Sequence, residues 1–373
     1  MRAIFKILNI IALIILALSV LACYISPNSY WQLSFLGFAF PFVLAANFFF
    51  VLIWLWKRDK FGWLPLVAIV LSWSFIRSSF GLNYFGTNEE QGIKLLTWNV
   101  KNFDLYNWSG NKNTRGKMMD LIRRENPSII CLQEFYSDNN KILGNVSYLA
   151  DSLGYKNYFF VPAAEKTKQP KSDIQKIKWN NEPLHQQWGV AVFSKYEILD
   201  TCSIIFPNSK FNSGIYADLK INGKKIRVYS VHLESVHLHK EDYYTIEDIE
   251  DNQKPDWLSV KNILHKMKSA TTKRAEQAQI LEQKLDDYCC EQILCGDFND
   301  VPVSYTYHTL CGNFQDAFVE KGKGFGATFL SRFSLFRIDY ALFNNRFKIN
   351  SYRSTNEKLS DHYPVIVTFS LPQ

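Results

Sequence analysis

From Ile7 to Trp56 the chain runs 50 residues without an Asp, Glu, Lys or Arg. One helix of that length would be ~75 Å long, against a hydrocarbon layer of ~30 Å. The run is therefore expected to fold back on itself. Ser26-Pro27-Asn28-Ser29 supplies the turn, dividing the run into spans near 7–24 and 31–56. A charged loop, Lys57-Arg58-Asp59-Lys60, precedes a third apolar stretch, Phe61–Ile76, of 16 uncharged residues. It reaches a span of 61–82 if Arg77 snorkels to the interface; the other reading is a helix lying in that interface. Three transmembrane helices within residues 1–85 are thus expected. A cleaved lipoprotein-like signal at Val20-Leu21-Ala22-Cys23 is the rival reading of the first segment, and the two apolar segments that follow speak against it.

The pattern changes after residue 90. Short β-branched and aromatic runs alternate with polar, helix-like ones. Strands are expected at Ile93–Trp98, Ser128–Gln133, Gly189–Ser194, Ile215–Ile221, Ile226–His232, Gln292–Gly296, Ile338–Phe343 and Pro364–Leu371. Helices are expected at Thr114–Glu125, with Asn113 as N-cap, and at Lys273–Tyr288. Ala163–Pro183 and Lys240–Lys254 read as polar surface loops. This is an α/β domain with more than one sheet, residues 91–373.

Charge adds an orientation. Arg2 and Lys6 flank the first span, the first loop has no basic residue, and the second loop has three. Positive-inside then places the N-terminus and second loop in the cytoplasm. With three spans, everything after about residue 82 is expected to be extracytoplasmic, tethered to the cell (inner) membrane; if the third segment does not span, the orientation reverses. The formal net charge is +7; six of the 42 basic and three of the 35 acidic residues precede residue 91, which leaves +4 on the polar domain. That is weak evidence for a polyanionic partner. A mean hydropathy of −0.14 averages two regions with different solvents. Six of the seven cysteines lie in the polar half, none with metal-ligand spacing; Cys131 and Cys295 sit in apolar runs as small hydrophobes, and any disulfide pairing is left open.

Chemistry-bearing residues recur at strand ends: Asn99, Glu134 after Gln133, His232, Asp297 and Asn299 in Gly-Asp-Phe-Asn, Asp339 inside an apolar run, and Asp361-His362 in Ser-Asp-His-Tyr-Pro. A buried unpaired carboxylate or imidazole is costly, so these placements point to one shared polar cavity where strand ends converge. His237 and His239 read as exposed loop residues.

In this order, the motifs resemble those of the endonuclease/exonuclease/phosphatase superfamily, over about residues 92–373. That superfamily includes pancreatic-type deoxyribonuclease, abasic-site endonucleases, neutral sphingomyelinases and inositol polyphosphate 5-phosphatases. The resemblance implies a four-layer sandwich of two packed mixed β-sheets flanked by helices. It also implies Mg²⁺ or Mn²⁺ as cofactor, held by Glu134 with Asn99 and Asp361 as further metal contacts. Asp297 would orient or deprotonate water, Asn299 would reach a phosphate oxygen, His232 and His362 would stabilise the phosphoryl oxygens, and Asp339 would orient His362. Arg274, Arg337 and Arg332 are candidates for holding substrate phosphate. The expected activity is phosphoester hydrolysis by a membrane-anchored, bacterial-type member, nearest the deoxyribonuclease and sphingomyelinase branches. His232 stands where abasic-site enzymes carry Tyr. Gln187 and Trp188 stand near where deoxyribonuclease has an acid. The expected substrate is nucleic acid or a phospholipid head group, with no protein partner; the alternative from another class is a module that binds phosphate without turnover.

Overall fold

The structure, a computed structural model, describes residues 2–85, 91–140, 143–172, 175, 182–209, 211–238, 241–242, 244–245, 256–330 and 336–371. Contacts divide the chain into two compact units. One joins Met1–Ser79 with Glu234–Lys284 and Asp300–Gly312; the other holds Phe80–Leu233, Leu285–Asn299 and Asn313–Gln373.

The first unit is helical. Helices α1 (Arg2–Leu21) and α2 (Gln32–Trp56) are each long and apolar enough to cross a membrane. Helices α3 (Trp63–Leu71) and α4 (Trp73–Ser79) follow, and the Lys60–Leu71 and Trp73–Ser79 segments are bent by 58° at Ser72. The third expected span falls on this bent pair, which has the form of a broken span or a re-entrant loop. Ser72 Oγ donates to the Ala68 carbonyl at 2.9 Å, a back-bond of the kind that bends helices.

Polar residues tie α1 to α2. Trp54 Nε1 donates to Asn9 Oδ1 at 2.9 Å, and Asn47 Nδ2 donates to the Ala12 carbonyl at 3.1 Å. Among apolar surroundings such bonds fix register between helices. Outward-facing Ile7, Ile11, Phe49 and Leu55 are exposed, as a lipid-facing surface requires. Arg2 pairs with Asp59 at 2.9 Å, which puts the start of α1 beside the basic loop. At the opposite end, Val303 packs with Leu16, Cys23 and Phe40, with Phe75 and Ile76 against them. Gly37 is obligatory there, since a Cβ would lie 2.1 Å from the Val303 carbonyl oxygen. Tyr24 meets the His308 ring edge-on at 4.6 Å between centroids. Helix α6 (Trp257–Asp286) belongs mostly to this unit and begins 16 residues earlier than its sequence predicts.

The second unit holds helix α5 (Thr114–Glu125) and the strands. In chain order they are β1 (Ile93–Asn99), β2 (Ile129–Asp138), β3 (Asn157–Lys168), β4 (Leu184–Ser194), β5 (Glu197–Ile205) and β6 (Ser213–Ile221). The rest are β7 (Lys224–His232), β8 (Glu291–Asp297), β9 (Phe314–Asp316), β10 (Asp339–Asn344), β11 (Lys348–Ser354) and β12 (Val365–Ser370). They form two six-stranded mixed sheets, ordered β11-β12-β1-β2-β4-β3 and β9-β10-β8-β7-β6-β5. Each has one parallel pair at its centre, β1 with β2 and β7 with β8.

Strand periodicity positions the site. Side chains alternate faces, so β1 turns Ile93, Leu95, Thr97 and Asn99 one way and Leu96 and Trp98 the other. Leu96 and Trp98 pack with Met118, Leu121 and Ile122 of α5. Ile93 and Leu95 pack with Ile129 and Cys131 of β2, Val228 of β7, Ile293 and Cys295 of β8, and Ala341 and Phe343 of β10. On all five strands, apolar residues at the far end of this inner face give way to polar ones at the near end. The series end on Asn99, Gln133, His232, Asp297 and Asp339. The inter-sheet core therefore turns into a polar cleft without any change of fold. Gln133 Nε2 bridges the sheets at the transition, donating to Thr97 Oγ1 at 3.2 Å and Ser230 Oγ at 3.0 Å.

Away from the cleft, a buried Asp218 is held by Arg227 at 2.6 Å and Lys225 at 2.7 Å. Burial works to raise its pKa, but these two cations outweigh that and hold it below the ordinary carboxylate value. The seven cysteines are all free. Part of the expected Ala163–Pro183 loop is strand, since β3 continues through Lys168. The rest of that loop and the Lys240–Lys254 loop lie largely outside the described residues, as do His239 and Arg332 entirely.

Candidate active site

Register brings the acids and imidazoles together. His232 pairs with Asp297, and Asp297 with Asp339, across β7, β8 and β10. Asn99 pairs with Gln133 in the other sheet. Gly296 lets β8 approach β7 this closely: its φ is +136°, and a Cβ would lie 2.0 Å from the Val231 carbonyl oxygen.

Asp297 Oδ2 is the hub. It accepts from Asn99 Nδ2 at 3.0 Å and Asn299 Nδ2 at 3.3 Å. The Nε2 atoms of His232 and His362 both stand 3.7 Å from it. Asp297 Oδ1 accepts the Asn299 backbone N–H at 2.8 Å. Asn299 also donates to the Leu233 carbonyl at 2.9 Å, so its amide hydrogens brace the Asp297 loop. Burial pushes Asp297 up to about 6, Asp339 adds to the rise, and the two histidines pull against it.

His362 is clamped from every side. Its Nδ1 lies 2.9 Å from Asp339 Oδ2, and Phe329 meets its ring edge-on at 5.2 Å between centroids. Trp98 Nε1 donates to its carbonyl at 2.8 Å. Thr328 Oγ1 accepts the backbone N–H of Asp339 at 3.0 Å. Burial opposes charge on the imidazole, but Asp339 and Asp297 overcome it and push His362 up to about 10. Both nitrogens face acids, Nδ1 toward Asp339 and Nε2 toward Asp297, an arrangement that favours the charged imidazole.

Glu134 is aimed by a bulge. The pairing of β2 with β4 shifts register between Leu132 and Phe135, and Glu134 takes φ +48°. A bulge re-aims a side chain that regular pleating would send elsewhere. Glu134 Oε1 accepts from Asn99 Nδ2 at 3.1 Å and lies 3.9 Å from His232 Nε2. Burial raises its pKa, and the charge of Asp361 adds to this. Its side chain keeps 34% exposure, which leaves room for water on one side.

Past β1, Lys101, Asn102, Phe103 and Asp104 have φ of 41°, 57°, 53° and 58°. This left-handed turn costs on the order of 1–2 kcal/mol per residue for L-amino acids, so other contacts must hold it. Phe103 is buried, and the Lys101 backbone N–H donates to Asn99 Oδ1 at 3.1 Å. Lys101 Nζ reaches Asp361 Oδ2 at 2.5 Å.

The donor set fits a hard divalent cation at Glu134, where a carboxylate beside open space allows the cation to keep several waters. Asp297, Asp339 and His362 also place three ligand-type atoms within 4.8 Å of one another. Both ring nitrogens of His362 face carboxylates, Nδ1 at 2.9 Å from Asp339 and Nε2 at 3.7 Å from Asp297, an arrangement suited to proton chemistry. Asn99 directs its NH₂ to the two carboxylates and its oxygen to the backbone; it links Glu134 to Asp297.

The arginines expected to meet phosphate are engaged elsewhere. Arg274, fully buried, donates to Asp300 Oδ2 at 3.2 Å and to the Glu234 carbonyl at 3.0 Å. Arg337 pairs with Asp316 at 2.8 Å, its guanidinium 4.5 Å from the ring centres of both Phe318 and Tyr340. His237 is exposed and 3.5 Å from Glu234. Residues that the sequence did not single out are Lys101, Thr328 and Ser360, whose Oγ donates to the Asn99 carbonyl at 2.8 Å.

A sequence model of the Endonuclease/Exonuclease/phosphatase family matches residues 96–362. The chain belongs to this family. A second model, of a domain of unknown function, matches residues 2–79. No curated protein matches. Among solved structures, an endonuclease/exonuclease/phosphatase from Beutenbergia cavernae is 16% identical with TM-score 0.51, covering 76% of this chain and 72% of its own. The human Nocturnin catalytic domain with bound sulfate is 17% identical with TM-score 0.50, covering 76% and 96%. An endonuclease/exonuclease/phosphatase from Bacteroides vulgatus is 16% identical with TM-score 0.50, covering 76% and 100%. At these identities the likeness establishes the fold: two packed mixed sheets flanked by helices. Family membership makes phosphoester hydrolysis the general activity.

Proposed function

We propose that the chain is a membrane-tethered, divalent-metal-dependent phosphodiesterase whose catalytic domain, residues 91–373, lies outside the cytoplasm. One observation carries the chemistry: Asp297 Oδ2 stands between two imidazole Nε2 atoms and is braced by two amides. Asp297 accepts the proton of the attacking water. His232 and His362 offer their Nε2 atoms to the phosphoryl oxygens as charge builds there, and the imidazole pair returns a proton to the departing oxygen. Asp339 holds His362 charged and oriented. A Mg²⁺ or Mn²⁺ held by Glu134 would supply Lewis-acid stabilisation of phosphoryl charge.

With Mg²⁺ or Mn²⁺, the full chain in detergent is expected to cleave at least one member of a DNA, RNA, phospholipid and sugar-phosphate panel, and to stop on addition of chelator. No metal-dependent turnover on any of them would favour a binding module. Phospholipid head groups are the second reading. It is favoured by the tether itself, since two N-terminal helices long and apolar enough to cross a membrane would keep the domain close to lipid.

The outside location draws on the positive-inside pattern and on contacts within the helical unit. Val303 and His308 pack at the end of α1 and α2 remote from the Lys57–Lys60 loop. The α3–α4 pair starts at that basic loop and brings Phe75 and Ile76 to the Val303 end. A reporter active only in the cytoplasm, fused after Gln373, is expected to stay silent; activity there would reverse the topology.

A further inference from the structure

The Lys101–Asp361 pair is not needed by the steps above, yet it occupies the cleft's open side. Asp361 has both carboxylate oxygens engaged. Oδ1 accepts from Ser360 Oγ at 3.2 Å, and Oδ2 is 2.5 Å from Lys101 Nζ. The ammonium also lies over the Trp108 ring, 4.1 Å from its centre. An ion pair on one side and a cation–π contact on the other hold it in place. The backbone beneath it, the left-handed turn from Lys101 to Asp104, is held by the buried Phe103 and by the Lys101 N–H on Asn99 Oδ1. Lys101 and Asp361 keep 34% and 25% side-chain exposure, so the charge faces solvent and any ligand entering the cleft.

We propose that the Lys101 ammonium takes the place a second divalent cation would occupy at Asp361, so that this site binds a single metal ion. The inference rests on the hydrolytic reading above and specifies its cation requirement. A divalent ion coordinating Asp361 must strip Oδ2 from Lys101 and then sit against a positive charge. Repulsion between them grows steeply at such distances. A lysine is suited to the role: it is a compact point charge with three donors. Fixed in place, it supplies positive charge to a phosphate oxygen without a second ion being loaded.

The test is Mn²⁺ stoichiometry, measured by electron paramagnetic resonance on the full chain in detergent. Wild type is expected to bind one Mn²⁺ per chain, lost in Glu134→Gln. Lys101→Met is expected to bind two, and Lys101→Met/Asp361→Asn to return to one. Lys101→Arg keeps the charge and is expected to stay at one, which separates loss of charge from loss of fold. Two ions in wild type, or one in a Lys101→Met chain whose thermal unfolding matches wild type, overturns the inference and leaves the hydrolytic reading standing. No bound Mn²⁺ in wild type overturns both. If Lys101→Met does not fold, Lys101→Gln, which keeps a polar contact to Asp361, is measured instead under the same two outcomes.

Discussion

Asp297→Asn is expected to lower kcat by about 10²–10⁴-fold, the range that a positioned general base contributes. The substitution keeps shape and removes only the charge and basicity. Asn99, Asn299, His232 and His362 all converge on this one carboxylate, so no neighbouring acceptor can replace it. Asp339, paired with Asp297 across the sheet, is already committed to His362 Nδ1. The melting temperature is expected to hold or rise, since a neutral amide relieves the burial that now pushes Asp297 up to about 6. An activity loss with retained stability separates a catalytic role from a structural one. Steady-state kinetics on whichever panel substrate is cleaved, with thermal unfolding in parallel, decides it. Activity within tenfold of wild type would remove Asp297 from the proton-accepting role.

Much of this architecture is legible in the chain because the physics is local. An apolar run of 50 residues has few ways to fold. The inner-face series Leu95–Thr97–Asn99 and Ile293–Cys295–Asp297 announce both a strand and the end of it that is polar. The four strands that escaped prediction, β3, β5, β9 and β11, are the edge strands of the two sheets. Strand β3 lies at a sheet edge and is half-buried or exposed along its whole length, and β5 at the other sheet's edge is mostly exposed. Strand β11 ends the first sheet and carries a bulge between Ile349 and Ser351 that breaks its alternation. The front half of α6 leaves Trp257, Leu258 and Leu264 exposed, so its apolar positions do not trace a clean buried stripe, and only its Lys273–Asp286 part stands out. The break at Ser72 depends on one hydroxyl choosing a carbonyl.

Site chemistry followed the same division. Residues whose meaning comes from side-chain type at a strand end, such as His232, Asp297 and His362, stand out. Residues whose meaning comes from backbone geometry do not. Lys101 reads as one more surface lysine until the left-handed turn swings it onto Asp361. Arg274 and Arg337 err in the other direction. Arginine near an acid-rich motif suggests phosphate, but each is paired with a buried aspartate of its own, Asp300 and Asp316.

His362→Gln and Asp339→Asn make the second large prediction, and their combination is its sharper part. Each alone is expected to cost about 10²–10⁴-fold in kcat, as loss of an acid–base group does. The double variant is expected to cost no more than His362→Gln alone, because residues that act as a unit are not additive. The geometry requires this coupling. Asp339 is 1% exposed and has Oδ2 on His362 Nδ1 at 2.9 Å. Its second oxygen, Oδ1, has no hydrogen-bond partner among the described residues. A buried carboxylate left half-satisfied is costly, so its energetic justification is the charge it induces on His362. Without Asp339, burial is left to oppose that charge, and only Asp297 and, more weakly, Asp361 support it. Independent losses that multiply in the double variant would mean that Asp339 acts on something besides His362, and the paired reading would fall.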